Sequence, residues 1–87
     1  MLEPTLENVI AVIAESFAVE PNTLNADSTL KKDLKADSLE MMDLIFTLEK
    51  EFETSHMTNS FQENRDYTMA EITAIISGHS QNSSQEP

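Results

Sequence analysis

From Ser38 to Phe52 the chain reads SLEMMDLIFTLEKEF, and its apolar residues fall at two different phases. With Ser38 at zero and about 100° per residue, Met41, Leu44, Ile45, Leu48 and Phe52 gather at roughly 240–340°. That is one stripe of an amphipathic helix and predicts a core-facing side. Leu39, Met42 and Phe46 fall at roughly 40–100°, well off its centre. Glu40 and Asp43 border them at roughly 140–200°, and Glu49 lies near ~20°. Either the helix is buried on most sides as the middle member of a bundle, or a second apolar strip emerges beside acids. In the second case methionine suits a surface that meets several partners, because its side chain re-packs easily. Apolar contacts would then give affinity and the carboxylates would steer basic partners.

The start of this helix is marked twice. Asp37 is the expected N-cap, and Glu40 completes a capping-box spacing. With Asp37 capping, the Ser38 hydroxyl is released from that task. It stands where first-turn N–H groups point outward and an anion such as phosphate is favoured.

Two further helices are predicted. One runs to about Phe17 from an N-cap at Thr5, with Leu6, Val9, Ile10, Ile13 and Phe17 as its stripe. The other runs from Met69 to about Ser77, capped by Thr68 with Glu71 three residues on, and Gly78 is a stop signal. Between the first two lies a long connection, residues 18–36, pinned by Val19, Leu24, Leu30 and Leu34. A short turn of helix is expected near Ser28–Lys32, and a short helix around Asn59–Asn64. The predicted fold is all-α: three main helices, one short helix and a long loop after the first. Residues 1–78 form the domain and 79–87, which lack apolar residues, a disordered polar tail.

Composition narrows the function. Sixteen Asp and Glu against five Lys and Arg give a formal charge of −11. Nucleic acid and anionic membrane both need clustered cations, so neither is an expected partner. Without cysteine there is no disulfide framework, thiolate metal site or thiol nucleophile. No apolar run approaches a membrane span, and the first residues lack a secretory signal pattern, so a soluble cytoplasmic protein is expected. His56 and His79 pair with no nucleophile, and Asp33, Asp37 and Glu40 lack the glycine and later glutamate of a calcium loop. No catalytic or metal site is expected.

The stretch Asp33-Leu34-Lys35-Ala36-Asp37-Ser38-Leu39-Glu40 resembles the attachment motif of acyl carrier proteins. Leu44-Ile45-Phe46-Thr47-Leu48-Glu49-Lys50-Glu51-Phe52 extends the resemblance, which covers about residues 5–77. It implies that Ser38 receives 4′-phosphopantetheine from coenzyme A, and that the arm's thiol carries acyl groups as thioesters for fatty-acid or polyketide-like biosynthesis. It gives Asp37 a part in binding the transferase or its metal. It makes Leu39, Glu40, Met42, Asp43, Phe46 and Glu49 a docking face for basic surfaces on acyl-transferring and acyl-processing enzymes. A monomer is expected, with a phosphopantetheinyl transferase as a further partner. A peptidyl or aminoacyl carrier of the same fold and an unmodified acidic docking module remain alternatives. The family usually has glycine where this chain has Lys35. Lysine disfavours positive φ, which predicts a differently shaped loop. Ser55-His56-Met57-Thr58-Asn59 also departs from the family pattern, and leaves open a carrier dedicated to another pathway. Met41 faces inward on the wheel, where its bulk would narrow an acyl pocket.

Overall fold

The computed structural model describes residues 2–62 and 64–80. Three helices, α1 (Leu6–Phe17), α2 (Ser38–Phe52) and α3 (Met69–Ser80), carry the fold. Two single-turn 3-10 helices, Pro21–Thr23 and Met57–Ser60, sit in the connections. The described residues contain no strand, only an isolated antiparallel bridge between Thr29 and Thr68. All three helices meet one another, so the core is shared by all of them.

The predicted caps form. Thr5 Oγ1 accepts the Asn8 N–H at 3.1 Å and opens α1. Thr68 and Glu71 make a reciprocal capping box at the start of α3, with bonds of 2.9 and 3.1 Å. On α2 all five stripe residues are buried, from Met41 to Phe52. On α1 the buried face centres on Val9, Val12, Ile13 and Ala14. Leu6, Ile10 and Phe17 flank it, partly buried.

Helix ends depart from habit. α1 closes at Ala18 with φ 58°. There the Val19 N–H reaches back to the Ala14 carbonyl and the Ala18 N–H to Glu15, a Schellman arrangement. α2 closes at Glu53 with φ 54°, and Thr54 N–H bonds the Glu49 carbonyl. Glycine is the usual residue at both positions. The glycine the chain does have, Gly78, is not at positive φ. It therefore supplies no left-handed stop, and α3 continues to Ser80 instead of ending near Ser77. The expected tail, beyond those first two residues, lies outside the described residues.

Both short helices form away from their expected positions. The first is at Pro21–Thr23, where proline occupies the first helical position and needs no N–H partner. Residues 28–32 are drawn elsewhere. Ser28 Oγ accepts the Asn25 N–H at 2.9 Å, Asp33 Oδ2 accepts the Thr29 N–H at 2.8 Å, the Leu30 N–H donates to the Tyr67 carbonyl at 3.1 Å, and Asp66 accepts the N–H groups of Lys31 and Lys32. The second is at Met57–Ser60, earlier than Asn59–Asn64. Met57 is fully buried and its N–H donates to Glu49 Oε2 at 2.9 Å, which sets the start.

The loop before Ser38 is shaped with Lys35 in the left-handed region at φ 60°, so lysine does not divert the backbone as expected. Two nested bonds impose this turn: Lys35 N–H to the Lys31 carbonyl at 3.1 Å, and Ala36 N–H to the Leu30 carbonyl at 2.9 Å. Leu30 is 1% exposed and anchors the loop in the core. A left-handed non-glycine residue costs roughly 1–2 kcal/mol. Burying Leu30 contributes roughly 1.5–3 kcal/mol, enough to hold the turn closed.

Candidate functional site

Ser38 is the first residue of α2, and the cap before it is complete without it. Asp37 Oδ1 accepts the Glu40 N–H at 2.8 Å, and Glu40 Oε1 accepts the Asp37 N–H at 3.0 Å. The first intrahelical bond runs from Met41 N–H to the Asp37 carbonyl at 2.9 Å. The Ser38 and Leu39 N–H groups, which precede it and lie outside the capping box, therefore open toward the helix end, where the dipole favours an anion. Ser38 itself is exposed. Asp37, Ser38 and Glu40 thus meet as expected: two carboxylates fix the helix start, and one hydroxyl is presented to solvent.

Beside Ser38 the structure opens a cavity of about 150 Å³. Its walls are Ser38, Met41, Met42 and Ile45 from α2, with Thr58, Phe61 and Gln62 from the segment that follows. An engineered apolar cavity of this size admits a benzene molecule. Met41 is 4% exposed and lines the space, as its inward phase predicted. The opposing wall escaped the sequence reading, because nothing local in Thr58, Phe61 and Gln62 marks them as neighbours of Ser38. Phe61 is held there by Tyr67, edge-on with ring centroids 4.9 Å apart, and Tyr67 Oη accepts the Gln62 N–H at 2.9 Å.

Along the outer side of α2, Leu39, Met42 and Phe46 are 71%, 40% and 53% exposed. Their spacings of three and four residues align them on one strip running from the serine. Glu40 and Asp43 are exposed on the same helix. Glu49 is half-buried, with one carboxylate oxygen engaged by the Met57 N–H, so it has a structural task in α2's exit.

The loop that delivers Ser38 is held from a distance by Asp66. Its carboxylate accepts N–H groups from Lys31 at 2.8 Å and Lys32 at 3.2 Å, and from its neighbour Tyr67 at 2.9 Å. Burial raises this carboxyl, but those backbone bonds and the Thr29 side chain outweigh it and leave Asp66 below its ordinary value. This residue went unnoticed in the sequence, where it is one acid among sixteen. Among the described residues, no group of three or more His, Cys, Asp and Glu is placed to hold a metal ion. No helix among them is long and apolar enough to cross a membrane.

A bundle that presents one hydroxyl at a helix start, beside a small apolar cavity and an apolar strip, defines a carrier-type attachment domain. Comparison with known sequences agrees. The model of the family described as "Phosphopantetheine attachment site" matches residues 7–66. The chain is 39% identical over 49 residues to an acyl carrier protein of Campylobacter jejuni subsp. doylei, covering 56% of this chain and 64% of that one. It is 40% identical over 47 residues to an acyl carrier protein of Thermosynechococcus vestitus, covering 54% and 58%. The matches thus span less than two thirds of these relatives' own lengths. The chain belongs to the acyl carrier protein family, whose attachment domain takes covalent 4′-phosphopantetheine.

Proposed function

We propose that Ser38 carries the 4′-phosphopantetheine group and that the chain acts as a non-catalytic acyl carrier. The observation that carries this reading is the exposed Ser38 at the first position of α2, its cap supplied by Asp37. The site fits the group: the hydroxyl is reachable, the helix end favours a phosphate, and a cavity adjoins it. When attached, the arm supplies the thiol that this cysteine-free chain lacks, on which an acyl group is held as a thioester.

In this reading Asp37 and Glu40 fix the backbone that presents the serine and lie where a transferase or its metal would meet them. Leu39, Met42 and Phe46 give affinity for acyl-transferring and acyl-processing enzymes, while Glu40 and Asp43 steer their basic surfaces. Met41, Met42, Ile45 and Phe61 line a shelter for the start of an acyl chain. Fatty-acid or polyketide-like biosynthesis in the cytoplasm, by a monomer, is the setting this reading favours. The apolar lining favours an acyl cargo over a polar aminoacyl one.

Intact-mass measurement after incubation with coenzyme A and a promiscuous phosphopantetheinyl transferase tests the proposal. A gain of one phosphopantetheinyl group that Ser38→Ala abolishes supports it. A serine that stays bare overturns it, and leaves an acidic docking module.

A further inference from the structure

We propose that Lys35 pairs, within the same chain, with the phosphodiester formed on Ser38, and so holds the root of the arm against the start of α2. This rests on attachment at Ser38 and adds to it a cation that the attachment itself does not require.

Charge around Ser38 motivates the assignment. Asp37 and Glu40 place two carboxylates at the helix start. An attached phosphodiester adds a third negative charge within the same turn. Against these the helix end offers the equivalent of about half a positive charge. The whole chain has five Lys and Arg residues. Arg65 is bonded to Glu71 at 2.8 Å, and Lys50 lies in the last turn of α2. Lys31 and Lys32 stand seven and six residues before Ser38, whereas Lys35 stands three residues before it and is exposed.

The backbone fixes where this side chain starts. Lys35 is fixed at φ 60° by the nested bonds to Lys31 and Leu30, and Asp66 clamps the same loop through Lys31 and Lys32. Three peptide units reach at most about 11 Å, so the two Cα atoms cannot lie further apart. A four-carbon stem ending in three rotatable donors adapts to a phosphate from such a range. The resulting contact is a charge-assisted hydrogen bond. A residue needed only to make the turn would be better as glycine.

The test uses holo protein, with loading confirmed by intact mass, so that failed attachment is distinguished from a failed contact. The phosphodiester resonance is then compared by phosphorus NMR in wild type, Lys35→Ala, Lys35→Arg and Lys50→Ala. Lys50→Ala removes the same charge about 18 Å along the helix from Ser38. Alanine already occupies a left-handed position at Ala18, so Lys35→Ala retains a backbone this fold accommodates. The expected result is a displaced resonance, beyond its linewidth, in Lys35→Ala alone, with Lys35→Arg close to wild type. Added salt shrinks the difference between wild type and Lys35→Ala. Superimposed resonances in Lys35→Ala and wild type, or equal displacement in Lys35→Ala and Lys50→Ala, overturn the proposal.

Discussion

The Asp66 carboxylate accepts the Lys31 backbone N–H at 2.8 Å, and this bond ties together positions 35 residues apart. It fastens the loop leading to Ser38 onto the segment that enters α3. Folding favours the ionised carboxylate, because its bonds come from N–H donors. Its contribution is therefore fully present above the ordinary value of 3.8 and fades as pH falls through the lowered folded value. Asp66→Asn lowers the urea midpoint at pH 7. Its gap from wild type narrows as the pH drops below 3.8, and a gap unchanged there contradicts the assignment.

Left-handed positions filled by ordinary residues mark sites of available stability. Ala18→Gly and Glu53→Gly each relieve a strained φ, partly offset by a freer unfolded chain, for a net gain of about 0.5–1 kcal/mol. Gly78 is the reverse case. A Cβ there meets nothing within 4 Å, so Gly78→Ala stabilises by up to about 1 kcal/mol. Urea unfolding of the three variants checks all of these signs.

Asp37→Ala removes the α2 cap and destabilises by about 1 kcal/mol. Ser38→Ala leaves the cap intact, so its far-ultraviolet circular dichroism and urea midpoint stay at wild-type values. Comparable losses from both variants show that Ser38 shares the capping role.

Two phenylalanines on one helix separate binding from folding. Phe52 is 1% exposed, and Phe52→Ala costs about 3–5 kcal/mol, a large share of what a small domain has. Phe46→Ala changes stability by no more than about 0.5 kcal/mol. It weakens capture by a partner enzyme, measured as a higher KM for the loaded carrier. A KM equal to wild type removes Phe46 from the docking strip.

Met41→Ala widens the cavity beside Ser38 at a cost of about 2–5 kcal/mol in the unloaded protein. If an attached acyl chain enters that space, as proposed, loading raises the Tm of Met41→Ala more than that of wild type. Equal increments show that the chain does not enter there.

Much of this molecule could be read from local spacing. The bounds of α2, its capping box and its two apolar phases all follow from interactions within four residues, and each appears where spacing put it. Lys35 shows the opposite case. Its own preference points away from positive φ, yet two bonds made by its neighbours and the burial of Leu30 override it. The short helices also escaped, because Glu49 fixes Met57 and Asp66 fixes Lys31 from outside their own segments. The far wall of the cavity was hidden for the same reason. Thr58 and Phe61 become neighbours of Ser38 only after α2 has reversed at Glu53.

Ser38 and Phe46 stand on one uninterrupted helix, about 12 Å apart along its axis. If Phe46 is the grip and Ser38 the delivery point, as proposed, the two are sections of a single rigid ruler. An enzyme that seized the greasy end would then know at once, without any search, where the cargo's tether begins. Different enzymes would read the same ruler with catalytic tunnels of different depth, provided each set its entrance at that one fixed distance.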